Sequence, residues 1–324
     1  MPAPSSETIR HPAPLTSGAR VALVAPAGPL RDSSELERAI ENARSLGWEP
    51  VPSKHVLARR RYLAGSDAER ADDLNRAFRD AHIDGVWCVR GGYGAMRLLD
   101  RLDYDALSRH PKALLGYSDV SSLHAAVRAR CRLVTYHAPT ARSDLTPFTR
   151  ASLTRAVQGE GEPCGHAPNA KTLRGGIARG PLIGGNLAVL TALVGTPYAL
   201  DTTDAILVLE DVKESVYRID RLLHQLRMSG AIGRVRGLIF GSFTERPDED
   251  DNDDDALDAV MAEAAEWIEG PVLSGVPIGH LDDQWTFPLG AMAELDADAK
   301  TLRTVALAPT LARHAQPERM KERT

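Results

Sequence analysis

The sequence predicts an α/β protein of two domains, an N-terminal α/β domain built on a parallel sheet and a more β-rich C-terminal α/β domain. Three observations carry that reading. Short, continuous apolar runs alternate with amphipathic helical segments, the pattern of parallel strands covered on both faces. The 324 residues suffice for two domains of ordinary size, each burying its own core. Over residues 146–175 the alternation fades into Thr, Pro, Gly and Asn, which places a linker between domains at 17–145 and 176–313.

Residues 1–16 and 314–324 are rich in proline or charge, lack apolar periodicity, and read as poorly ordered tails. Ala19–Ala25 reads as the first strand. Ser34 with Glu37 reads as a capping box opening a helix that Gly47 closes. A second box, Ser66 with Glu69, opens a helix over Ala68–Asp80. The next strand, Gly85–Val89, ends in Arg90-Gly91-Gly92-Tyr93-Gly94. Strand Ala113–Leu115, a turn, helix Ser121–Arg130 and strand Leu133–Tyr136 complete the first half.

The second half opens on the glycine-rich run RGPLIGGNLAVLTALVGTPY. The strand AILVLED follows, then an amphipathic segment VYRIDRLLHQLRMSG ended by Gly230. The strand GLIFGSF leads to the acidic run DEDDNDDD at 248–255. A calcium loop needs glycine at its sixth position, where Asp253 stands, so the run reads instead as a solvated loop whose last aspartates cap a helix over Ala256–Ile268. Strands Val272–Pro277 and Thr286–Leu295 close the domain.

Composition excludes several functions. With 44 acidic against 39 basic residues the formal net charge is −5, which argues against a surface that neutralises many phosphates and so against a nucleic-acid partner. Cys88, Cys131 and Cys164 form no C-x-x-C pair and read as reduced structural thiols. No run approaches the roughly 20 apolar residues of a membrane span. The polar, proline-rich start lacks the plan of a secretory signal, so the chain is expected to be soluble and cytoplasmic. No zincin or P-loop motif is present, and neither metal nor cofactor is expected.

The chemistry centres on a strand-to-helix turn in ALLGYSDVSSL. Ser118 there is either a nucleophile or a helix cap. The nucleophile elbow G-x-S-x-G is matched only in its first half, because Val120 stands at the second glycine, which disfavours an ordinary α/β-hydrolase. A nucleophilic serine needs a base, a carboxylate that orients it, and oxyanion donors. His280 follows an apolar strand and a glycine, as a base at a sheet's lip or a plain loop residue would. Glu210 ends the strand AILVLE, with Asp211 and Glu214 as competitors. Gly91 and Gly92 let backbone approach a ligand closely, or simply turn the chain.

Taken in order, RGGYG, LLGYSD, LIGGNLAVLTALVGTPY, ILVLEDVKESVYRIDRLLHQL and GVPIGH resemble the LD-carboxypeptidase family of serine peptidases, over roughly residues 19–305. The resemblance implies a Ser-Glu-His triad in the cleft between the domains, with Ser118 as nucleophile, Glu210 as orienting acid and His280 as base. It implies an oxyanion hole from the amide of Asp119 and that of Gly92, with Gly91 as the alternative donor; no motif marks the residues that read a D-amino acid's carboxylate, for which Arg90 and nearby basic side chains are the candidates.

The substrate it implies is a murein tetrapeptide, trimmed of its terminal D-alanine by a cytoplasmic homodimer during peptidoglycan recycling. The alternatives are a microcin C-type self-immunity hydrolase acting on peptidyl adenylates and a non-catalytic binder of wall peptides; the filled triad argues against the second. For the first, a nucleobase needs an aromatic platform. Trp48, Trp87 and Trp267 fall in helix or strand patterns and read as core, leaving Trp285 as the one tryptophan near the cleft.

Overall fold

The computed structural model describes residues 9–244 and 254–305. Most of the acidic run at 248–255, with the calcium-loop reading set against it, lies outside the described residues. Five of the first sheet's six strands are parallel: β1 (Arg20–Val24), β2 (Glu49–Pro52), β3 (Gly85–Cys88), β4 (Ala113–Gly116) and β5 (Thr135–His137). Helices α1 (Ser33–Ser45), α2 (Asp67–Arg79), α3 (Tyr104–Arg109) and α4 (Ser121–Cys131) join them, and α5 (Pro147–Gln158) follows. The Ser66–Glu69 capping box forms at α2 as the sequence predicts. At α1 the cap sits two residues earlier than expected. Asp32 accepts from the Ser34 amide and hydroxyl, because a carboxylate is the stronger acceptor for the unpaired first-turn donors.

The second half begins with β6 (Gly165–His166), β7 (Lys171–Arg174) and β8 (Ile177–Asn186), then α6 (Leu187–Ala192), β9 (Ile206–Val212), α7 (Val216–Met228), β10 (Gly237–Thr244) and α8 (Asp254–Ala265). Four short strands end it: β11 (Val272–Ser274), β12 (Phe287–Leu289), β13 (Met292–Asp296) and β14 (Thr301–Thr304). Its eight-stranded sheet runs β6-β14-β13-β8-β9-β10-β11-β7, with β8 to β11 parallel and both margins antiparallel.

Three sequence expectations are corrected. The run expected as one strand over Thr286–Leu295 breaks at Gly290; its first part, β12, crosses to the first sheet and pairs antiparallel with β5, while β13 stays in the second. The expected linker carries α5, started by Thr146 as N-cap with Pro147 at its first turn, a signal hidden among loop-like residues. Residues 9–16, expected in a loose tail, are anchored. Arg10 bridges to Leu133, and Leu15 is fully buried under Gly85. Leucine in a proline-rich stretch was the available sign.

The two sheets meet where the glycine-rich end of β8 reaches α4. The Asn186 amide donates to Ser121 Oγ at 3.0 Å, three residues after Ser118. Helix α5 and the segment after His280 are stitched together as well. Thr149 Oγ1 donates to the Asp282 carbonyl at 2.7 Å and accepts from the Gln284 amide at 2.9 Å, and Ser152 Oγ accepts from the Thr286 amide at 2.8 Å. The supposed linker therefore fixes the loop that carries the candidate base.

Candidate active site

Strand β4 delivers Ser118 onto a short 3-10 turn, Ser118–Val120, that runs directly into α4. Its φ is +65°, a left-handed conformation that costs a non-glycine residue on the order of 1–3 kcal/mol and that recurs where surrounding structure holds a functional side chain. Val120, at the position where the usual elbow has its second glycine, is fully buried and plugs the turn into the core. Beneath it, His124 donates from Nε2 to the Gly116 carbonyl at 2.8 Å, since a carbonyl only accepts. Burial holds that imidazole neutral, pushing it down to about 3.

The loop after β3 closes on this turn. A Cβ added to Gly91 would lie 2.9 Å from Ser118 Cβ and 3.1 Å from its Oγ, so only glycine permits the approach. Asp119 is buried and accepts from the Ala95 amide at 2.8 Å, tying the far end of RGGYG to the elbow. Burial pushes its carboxyl up to about 6, against the pull of the Ala95 amide and the Arg70 charge. The loop after β1 joins in, with the Gly28 amide donating to the Gly91 carbonyl at 3.0 Å.

From the second sheet come the candidate acid and base. Glu210 sits in β9, fully buried, opposite Asn186 of β8. His280 Nδ1 lies 2.8 Å from Glu210 Oε2. A carboxylate accepts only, so Nδ1 carries the proton and Nε2 is left as the basic nitrogen. Gly279 makes this possible. At φ +111° it passes so close to Glu210 that an added Cβ would lie 2.8 Å from Oε2. Burial alone would raise the Glu210 carboxyl, but the imidazoles of His137 and His280 beside it hold it well below the usual carboxylate range.

Of the competing acids, neither meets the histidine. Asp211 accepts from Asn186 Nδ2 and the Ala188 amide, both at 2.8 Å, and so anchors the start of α6. Glu214 approaches Arg218 at 3.7 Å. The two halves come together through Tyr117, whose ring centroid is 4.7 Å from that of His280 and 5.8 Å from that of His137.

His137 went unmarked in the sequence. It ends β5, is fully buried, stacks on Phe287 of the crossed strand β12 at 4.7 Å, and places Nε2 3.9 Å from Glu210 Oε1. No motif flags a histidine that closes an apolar strand; only its register beside Gly116 would have. The remaining expected residues lie at the rim. Gly92 is exposed, and Arg90 is half-buried with Nη1 donating to the Pro29 carbonyl at 2.5 Å. Trp285 is buried in the second domain's core, with Trp48 and Trp87 likewise inside. A histidine and two aspartates, His55, Asp72 and Asp73, have spacing compatible with a metal, but they lie in the turn after β2 and in α2 rather than in the Ser118–His280 group.

A serine held at a strained strand-to-helix turn of one parallel sheet, with its neighbour Tyr117 packed on the imidazole of a second sheet's histidine that is paired to a buried glutamate, defines a serine-hydrolase type of site. Sequence comparison narrows the class. Residues 21–138 match the LD-carboxypeptidase N-terminal domain model and residues 179–295 the C-terminal one, and the chain belongs to the LD-carboxypeptidase family of serine carboxypeptidases. It is 36% identical over 295 residues to the murein tetrapeptide carboxypeptidase of Pseudomonas aeruginosa, covering 86% of this chain and 94% of that protein. Among solved structures, a muramoyltetrapeptide carboxypeptidase of Oxalobacter formigenes matches with TM-score 0.75 and 29% identity, covering 88% and 97% of the two chains. An MccF-like protein of Bacillus anthracis matches with TM-score 0.84 at 23% identity over 92% and 100%, which shows a common fold. Among the described residues no helix is long and apolar enough to cross a membrane.

Proposed function

We propose that the chain releases the terminal D-alanine from murein tetrapeptides, with Ser118, His280 and Glu210 as its catalytic triad. The observation that carries this is the 2.8 Å contact of His280 with a buried Glu210, together with the packing of that imidazole, ring centroids 4.7 Å apart, on Tyr117, the residue before the strained Ser118. His280 Nε2 takes the Ser118 hydroxyl proton as Oγ attacks the carbonyl joining an L-centre to the D-residue. The amides of Gly92 and Asp119 receive the oxyanion. The C–N bond then breaks, the departing amine takes the proton from His280, and water activated by the same imidazole hydrolyses the Ser118 ester. Glu210 stabilises the imidazolium and fixes its tautomer.

The peptide substrate follows from the relatives' names and the complete triad. Burial of Trp285 removes the platform that a nucleobase would need from that residue, which favours the peptide over an aminoacyl adenylate. The same reading makes the protein a cytoplasmic homodimer of peptidoglycan recycling, and sedimentation equilibrium checks the dimer. Mass-spectrometric product analysis with murein tetrapeptide, murein pentapeptide and an aminoacyl sulfamoyl-adenosine tests the substrate. Release of D-alanine from the tetrapeptide and little action on the pentapeptide is expected. Preferential cleavage of the adenosine compound would overturn the reading.

A further inference from the structure

Beside the oxyanion loop, sharing only Gly92 with the mechanism above, lies a recess of about 590 Å³. It is lined by Arg31, Arg59, Arg61 and Arg90, with Tyr62 and Tyr93 at its edge, and its floor is Gly28, Pro29 and Gly92. Four guanidinium groups and no carboxylate line it, in a chain whose net charge is −5. Such crowding of one sign in a concave surface has no structural advantage by itself, and it focuses field toward an anion.

The Arg61 backbone and the Arg59 and Arg90 side chains are also held in place. Tight backbone bonds between Arg60 and Leu63 form a two-residue turn with Arg61 at φ +57°, and the Ala64 amide donates to the Ala27 carbonyl at 2.9 Å, pinning the turn over the β1 loop. Arg59 Nη2 donates to the Leu30 carbonyl at 2.7 Å, and Arg90 Nη1 donates to that of Pro29. These bonds go to neutral carbonyls, so the positive charge is not neutralised. Glu35, the nearby carboxylate, accepts from Arg142 Nη1 at 2.9 Å and from the Arg31 amide at 2.7 Å and lies 3.9 Å from Arg31 Nε, so Arg31 is partly compensated while Arg59, Arg61 and Arg90 have no carboxylate partner among the described residues. Arg61 makes no hydrogen bond or ion pair among the described residues. Burial above all, then Arg142 with Arg31 and Arg59, lowers the affinity of Arg90 for a proton, while Glu35 opposes this.

The location defines the ligand. Gly92 lines the recess, and its neighbour Gly91 touches Ser118, so the recess starts about one residue from the carbonyl under attack. An exopeptidase must distinguish a free terminal carboxylate from an internal amide, and a guanidinium fork does so by paired charge-assisted bonds. Resting on the carboxypeptidase reading above, we propose that this arginine recess is the subsite that binds the free carboxylate of the leaving residue, with Arg61 and Arg90 as its principal contacts. It would also explain selection against longer peptides, whose extra residue displaces the carboxylate from the guanidinium groups.

The test compares tetrapeptide with a free C-terminus against the same peptide as its C-terminal amide, in the wild type and in Arg61→Ala, Arg90→Ala and the surface control Arg76→Ala. Turnover is followed as kcat/KM. Binding is measured by calorimetry in the Ser118→Ala background, so that it does not depend on catalysis. The wild type is expected to prefer the free acid roughly 10–100-fold, the worth of one charge-assisted bond. Arg61→Ala and Arg90→Ala should bring that preference within about threefold, mainly through KM, while Arg76→Ala keeps it. Equal handling of acid and amide by the wild type, or equal losses on both substrates in the arginine variants, would overturn the subsite. AMP binding that is lost in Arg61→Ala, together with no acid-to-amide preference, would assign the recess to a phosphate and likewise overturn it. Loss of all turnover with intact, Arg61-dependent acid-selective binding would instead fault the catalytic reading and leave the subsite standing.

Discussion

The two halves of the site are built by different physics. On the N-terminal side, backbone geometry does the positioning: a serine at φ +65°, a glycine whose missing Cβ leaves room for it, and amide-to-carbonyl bonds between loops. On the C-terminal side a fully buried carboxylate is matched to an imidazole at 2.8 Å, and electrostatics does the positioning. At the Ser118 turn the first half depends on shape, because Gly91 leaves no room for a side chain beside Ser118. The second depends on shape and charge alike, because Gly279 packs against Glu210 and any loss of pairing leaves a buried charge. The difference implies that equivalent substitutions in the two halves fail in different ways.

The largest contrast is expected at the acid. Glu210→Gln should lower kcat on the order of 10³–10⁴-fold, since the amide no longer enforces the imidazole tautomer. Asp211→Asn should act chiefly on stability through α6, and Glu214→Gln should change turnover less than tenfold. Steady-state kinetics of the three, with thermal melts, separates these outcomes, and a greater loss of turnover at Glu214 would break the comparison.

Glycine replacements come next. Gly91→Ala is expected to cost about 10²-fold or more in kcat with a small change in Tm, because the new methyl displaces Ser118. Gly279→Ala must strain a φ of +111° and push on Glu210, and should cost roughly 2–4 kcal/mol of stability as well as activity. Urea unfolding read beside kcat tests the pair. Similar stability losses in both variants would remove the distinction.

The smallest effect concerns pH. The Asp119 carboxyl has its folded value raised from 3.8 to about 6, so the folded state binds its proton more tightly than the unfolded chain does. That stability is present below about pH 4 and is lost as pH rises through 6, by up to about 3 kcal/mol. Glu210 runs the other way, its contribution present above the unfolded value near 4.5 and lost as acid protonates it. Burial raises Asp211 to about 6 as well, so Asp119→Asn should reduce but not abolish the pH 4–6 slope of the stability profile measured by chemical denaturation, and an unchanged slope there would contradict the assignment.

Much of this arrangement was legible in the sequence, and the physical reason is periodicity. The parallel strands read as unbroken apolar runs, and the polar residue that ends each one, Ser118 after β4 or Glu210 in β9, stands out for the same reason. What the sequence hid was long-range pairing. Nothing local says that Phe287–Leu289 leaves its own sheet to stack Phe287 on His137, or that α5 anchors the loop after His280. Leu15 and the arginine recess were hidden similarly: each joins segments far apart in the chain, and an Arg-Arg-Arg-Tyr run looks like a solvated turn until the Gly28 loop is placed under it.

The claim that the two halves form one catalytic unit is tested most directly by combining Ser118→Ala with His280→Ala. Groups that act together lose their effect once, not twice. Each single variant should lower kcat for D-alanine release by several powers of ten, and the double variant should fall within about threefold of the worse single. Losses that multiply in the double variant, or near wild-type turnover in Ser118→Ala, would contradict the account.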